Sequence, residues 1–117
     1  MNPLIATGAA AYAGLGIVSF LKPGVVPAVV GAEASTADAR TEIRAVYGGL
    51  PLAFAGTLVA SPAAGLPIGL ATLGMAAGRA GSSIFEGRPS VKMAGFVVLE
   101  LAIGAALIAG SRARSSD

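Results

Sequence analysis

Two charged side chains sit where charge is expensive. Arg79 lies in "GMAAGRAGSSIF" and Glu100 in "FVVLELAIGAAL", each surrounded by apolar residues. A charge at the centre of a membrane span costs about 2.5–3.5 kcal/mol on insertion scales, so such a residue faces the protein interior and finds a partner. Three chemistries suit the pair. A guanidinium and a carboxylate can saturate each other; they can hold a small ligand or a lipid headgroup; or the carboxylate can act as acid or base while the guanidinium stabilises negative charge. A second group opens "TEIRAVYGGLPLAFAG", where Glu42, Arg44 and Tyr47 lead into an apolar run. Arg44 and Tyr47 are three residues apart and share a helix face. Glu86 and Arg88 stand in the polar stretch "EGRPSVK". The expected ionic cluster is therefore Glu42, Arg44, Arg79, Glu86, Arg88 and Glu100, and the candidate ligand-binding set is Arg44, Tyr47, Arg79 and Glu100.

Other chemistries are closed by composition. The 117 residues contain no Cys and no His. Disulfides, Cys/His zinc sites, thiol nucleophiles and histidine catalysis are thereby removed. No metal site, no cofactor and no catalytic residue is expected, and an enzyme would need Glu42 or Glu100 as acid or base with Arg79 stabilising negative charge. "GRAGSS", Gly78 to Ser83, superficially resembles a phosphate cradle, but no strand precedes it and no Walker lysine follows. The net charge is +2, and the basic residues are scattered without interleaved aromatics, which does not indicate nucleic acid.

The elements that position these residues follow from hydropathy. Hydrophobic residues make up 55% of the chain and charged residues 12%, with a mean hydropathy of +0.79. A soluble domain carries about 25% charged residues, so a water-covered surface cannot be built from this composition. Four apolar stretches, at about 4–21, 43–60, 67–85 and 93–110, each approach the thickness of a hydrocarbon core of about 30 Å. Backbone in lipid must satisfy its own hydrogen bonds, and no barrel-like alternation is present, so these are expected to be helices. The predicted fold is all-α: one integral membrane, antiparallel four-helix bundle spanning 1–117, with a polar tail at 111–117. The first stretch has no Lys or Arg ahead of it and is read as a span rather than a cleaved leader.

Turn chemistry separates the spans. "KPG" stops the first, "SPAAGLP" joins the second to the third, and "EGRPSVK" joins the third to the fourth. Between the first and second, "VVPAVVGAEAS" reads as a short interfacial segment. Ser35 or Thr36 then offers a cap and Asp38 suits the positive end of a helix, so the second helix is expected to begin near Ala37. Pro51, preceded by Gly48 and Gly49, predicts a kink near Tyr47. Counting from the shared loop, Arg79 lies roughly 9 Å and Glu100 roughly 10–11 Å into their helices, which predicts an Arg79–Glu100 ion pair. Small residues spaced by four, Gly74 with Gly78, Ala77 with Gly81, Ala10 with Gly14 and Ala102 with Ala106, are candidates for close helix approach. Lys22, Arg40, Arg44, Arg88 and Lys92 lie on one side, and the positive-inside rule places that side in the cytoplasm.

"TEIRAVYGGLPLAFAG", "GMAAGRAGSSIFEGRPS" and "LELAIGAAL" together resemble the small bacterial membrane family known as domain of unknown function 4345. The matching positions are Glu42, Arg44, Tyr47, Gly48, Gly49, Gly78, Arg79, Gly87, Pro89, Ser90 and Glu100. The resemblance implies a four-helix protein of the bacterial inner membrane and carries no activity with it. The leading expectation is an accessory or scaffolding component working through protein or lipid contacts. The alternative is a small-ligand, lipid or ion-handling protein with its site around Arg79 and Glu100. Expected partners are membrane lipids and either further copies of the chain or a larger membrane complex.

Overall fold

A computed structural model describes residues 1–87 and 90–115, and all regular structure among them is helical. Helix α1 covers Pro3–Leu21. A short α2, Val25–Val29, follows the "KPG" break and occupies the stretch read as interfacial. Thr36 then accepts a hydrogen bond from the Ala39 amide at 3.0 Å and starts α3, Ala37–Ile43, with Asp38 in its first turn. The cap satisfies one of the amides that a helix start leaves without an intrahelical partner.

The chain does not pass straight from α3 into α4, Leu50–Ala60. A widened π turn, Arg44–Gly49, lies between them. Pro51 explains its position. A proline has no N–H and its ring presses on the carbonyl four residues earlier, here that of Tyr47. The turn accommodates the ring by opening, and the Leu50 amide bonds to the Ala45 carbonyl, five residues back. The kink expected from Gly48, Gly49 and Pro51 is thus a local change of helix type.

A single 3₁₀ turn at Pro62–Ala64 leads into α5, Gly65–Glu86. Gly87, at φ 71°, ends α5 in the left-handed conformation that glycine adopts without strain. Helix α6, Val91–Ser115, runs past the expected end of the last span, so most of the stretch read as a polar tail continues the helix.

Among the described residues, three helical stretches are long and apolar enough to cross a membrane: Pro3–Leu21, Ala37–Ala60 and Val91–Ala113. Helix α5, counted from the sequence as a fourth span, is long enough at 22 residues but is not among them. Its second half carries two glycines, two serines, Arg79 and Glu86, which dilute the hydropathy of Leu66, Ile68 and Leu70.

The chain forms two compact units, Ala9–Ala60, and Met1–Gly8 with the chain from Ser61 onward. In the first, Tyr12 meets Phe54 edge-on, with ring centroids 5.2 Å apart and planes at 86°. One turn later α1 comes to backbone distance of the π turn: a methyl group on Gly16 would stand 2.8 Å from the Gly48 carbonyl oxygen.

In the second unit α5 and α6 are antiparallel, because their contacts run in opposite order. Gly65 lies beside Leu107 and Ser111, Gly69 beside Gly104 and Ile108, and Arg79 beside Glu100 and Met93. The helices touch backbone to backbone at Gly69 and Gly104, where a methyl group on Gly69 would be 2.8 Å from the Gly104 oxygen. The fully buried Ile5, from the first turn of α1, fills the open end of this hairpin against Gly65 and Gly110. The glycines of the small pairs singled out from sequence do not make such approaches: a methyl group on Gly14, Gly74, Gly78 or Gly81 would meet nothing within 4 Å.

Candidate functional site

The α5–α6 hairpin brings Arg79 and Glu100 together. Arg79 Nε donates to Glu100 Oε1 at 2.7 Å and Nη2 donates to Oε2 at 3.3 Å. This is the two-pronged arrangement in which a guanidinium matches a carboxylate. The Glu100 side chain is 11% exposed and that of Arg79 32%. The carboxylate is thus held inside, and the guanidinium reaches it from the rim of the hairpin. Two further residues of α6 lie against Arg79. Its guanidinium carbon is 5.2 Å from the centre of the Phe96 ring, a cation–π distance. Its Nη1 lies 3.9 Å from the Met93 sulfur, a weak acceptor.

The residues that meet Arg79 on α6 are 93, 96 and 100, spaced by three and four along one face. On the other side of the same seam runs a shallow groove of about 300 Å³, lined by Ala80, Ile84, Met93 and Val97 among others. Met93 belongs to both sides. The hairpin therefore has an ionic flank and an aliphatic flank, and the groove's lining is not the candidate ligand set.

Arg44 is engaged differently from the expectation drawn on charge. Its Nε donates to the Phe20 carbonyl at 2.9 Å, and its guanidinium carbon stands 6.0 Å from the centre of the Phe20 ring. Phe20 is the penultimate residue of α1, so its carbonyl is one of the four that a helix end leaves without an intrahelical donor. A cation there also meets the negative end of the helix dipole. Arg44 thus ties the π turn to the end of α1. The Arg44→Ala substitution is expected to cost about 1 kcal/mol, the usual net worth of such a hydrogen bond. It should also speed amide exchange in the last turn of α1, which exchange monitored by mass spectrometry would detect.

Tyr47 is 43% exposed on the π turn, and Glu42 is exposed at the end of α3. Glu86 is exposed at the end of α5, and Arg88 lies outside the described residues. Phe96 and Met93 were not singled out in the sequence, since an aromatic and a thioether in an apolar helix read as ordinary filling. Their spacing from Glu100, by four and seven, was the available signal. Among the described residues no group of three or more metal-ligating side chains is present.

The sequence model of a family described as a domain of unknown function (DUF4345) matches residues 2–110. No curated protein and no solved structure matches the chain.

Proposed function

We propose that this chain, which belongs to the DUF4345 family, is an integral membrane component that acts through contacts with lipids and other membrane proteins rather than by catalysis. In this reading α5 joins the three apolar spans to complete an antiparallel four-helix bundle, in a bacterial inner membrane. Arg79, charged within the apolar hairpin, enters the bilayer already matched to Glu100. The observation that carries the reading is the two-pronged Arg79–Glu100 contact beside an aliphatic groove. A charge pair directed at itself fixes how two helices meet, which is the attested use of ionic groups in packed helices. Large apolar side chains left outward on the apolar spans, such as Ile17, Leu21, Val59 and Val98, all more than half exposed, supply the surface for lipid or partner helices.

The test is purification in mild detergent with identification of co-purifying proteins and lipids. A stoichiometric protein partner that survives Arg79→Ala supports the accessory role. A second reading, a site for a small anion or lipid headgroup at Arg79 and Glu100, draws on the one-third exposure of the Arg79 side chain. It requires instead a recurring anionic small molecule or lipid that is lost with Arg79→Ala while the helical circular dichroism is unchanged.

A further inference from the structure

Ser19 is fully buried in α1, and its hydroxyl has no hydrogen-bond partner among the described residues. The helical hydroxyls of Thr7, Thr57, Thr72 and Ser111 all bond back to carbonyls three or four residues earlier in their own helices. Ser19 does not, although the same local bond is open to a serine in a helix. A buried hydroxyl left unpaired costs about 1–3 kcal/mol, so its surroundings require an account.

The register of α1 against the π turn and α4 locates those surroundings. Tyr12 meets Phe54. Gly16 lies between Gly48 and Leu52. Phe20 lies between Arg44, which bonds its carbonyl, and Gly48, which lies against its ring and backbone. Each step forward along α1 is matched by an equal step back along the facing segment, and this places Ser19 level with Tyr47. The Tyr47 carbonyl is the one Pro51 deprives of its donor, since its partner four residues on is Pro51 itself. A buried donor without an acceptor and a carbonyl without its α-helical donor therefore stand at one level of this contact.

We propose that Ser19 and the Tyr47 carbonyl form a binding site for a single water molecule, which accepts from or donates to the Ser19 hydroxyl and donates to that carbonyl. A buried water takes two to four polar partners, and this site offers the Ser19 hydroxyl and the Tyr47 carbonyl. The water completes the hydrogen bonding of a helix broken by proline, as ordered waters and hydroxyl side chains do in membrane helices. It makes the π turn the one hydrated level of this packed apolar contact. The site is independent of Arg79 and Glu100, and its failure would leave the proposed membrane role untouched.

The experiment is a double-mutant cycle read as thermal midpoints in detergent, with Ser19→Ala, Pro51→Ala and both together. Pro51→Ala returns the missing N–H. Ser19→Ala is expected to lower the midpoint by several degrees in the parent chain and by less than half as much with Ala at position 51. Equal shifts in both backgrounds overturn the proposal, as does a higher midpoint for Ser19→Ala in the parent. Should Pro51→Ala fail to fold, solid-state NMR of the parent in bilayers decides. Magnetisation transferred from water must reach Ser19 and Gly48 but not Tyr12 or Ala55, and must vanish from Gly48 in Ser19→Ala. No transfer to Ser19 overturns the site.

Discussion

Glu100→Ala is expected to remove about 3 kcal/mol of stability, at the lower end of the range for breaking a buried ion pair because Arg79 keeps partial access to solvent. The loss arises less from the attraction forfeited than from what remains. Arg79 would keep its charge beside Phe96 and Met93, neither of which can neutralise it. Removing both charges is a different experiment. Arg79→Leu with Glu100→Leu leaves no uncompensated ion, and apolar replacements for buried pairs are often neutral or stabilising. The double variant should recover most of what Glu100→Ala loses, and helical circular dichroism during unfolding in detergent reads both. If the single variant is as mild as the double, the two side chains are not a coupled unit and the clamp is wrong.

The second large effect lies in glycines. Gly69→Ala and Gly104→Ala should each cost about 2–3 kcal/mol, the upper part of the range for overpacking a close contact. The methyl group on Gly69 would press on the Gly104 carbonyl, and that on Gly104 on the Gly69 carbonyl at 3.0 Å and Leu73 at 2.7 Å. Backbone cannot rotate away as a side chain end can, so the hairpin must open. Gly74→Ala and Gly78→Ala have the opposite sign. Nothing stands within 4 Å of either, and alanine is favoured over glycine inside a helix by about 0.5–1 kcal/mol. Thermal midpoints of the four variants should split into two clear pairs. Equal losses at all four would mean that Gly74 and Gly78 face a partner helix.

Much of this architecture was legible along the chain. Scarce charge and long apolar runs imply helices suited to a membrane, because lipid tolerates neither exposed charge nor unpaired backbone. Thr36, Pro51 and Gly87 mark a helix start, a disturbance and a helix end through local chemistry that acts within one turn. That Arg79 and Glu100 stand at one level could be counted in residues from their shared turn, since rise per residue is constant.

Tertiary structure decided the rest, where azimuth and register matter rather than composition. Seventeen glycines look alike in a sequence, yet Gly69 and Gly104 face each other while Gly74 and Gly78 face outward. A spacing of four states that two residues share a face, not which face finds a neighbour. Arg44 reads as part of an ionic cluster by its charge and is instead held by a carbonyl at the end of α1. Ser19 reads as one tolerated hydroxyl in an apolar helix. Its significance depends on lying level with Tyr47, a relation set by the packing of two segments far apart in the chain.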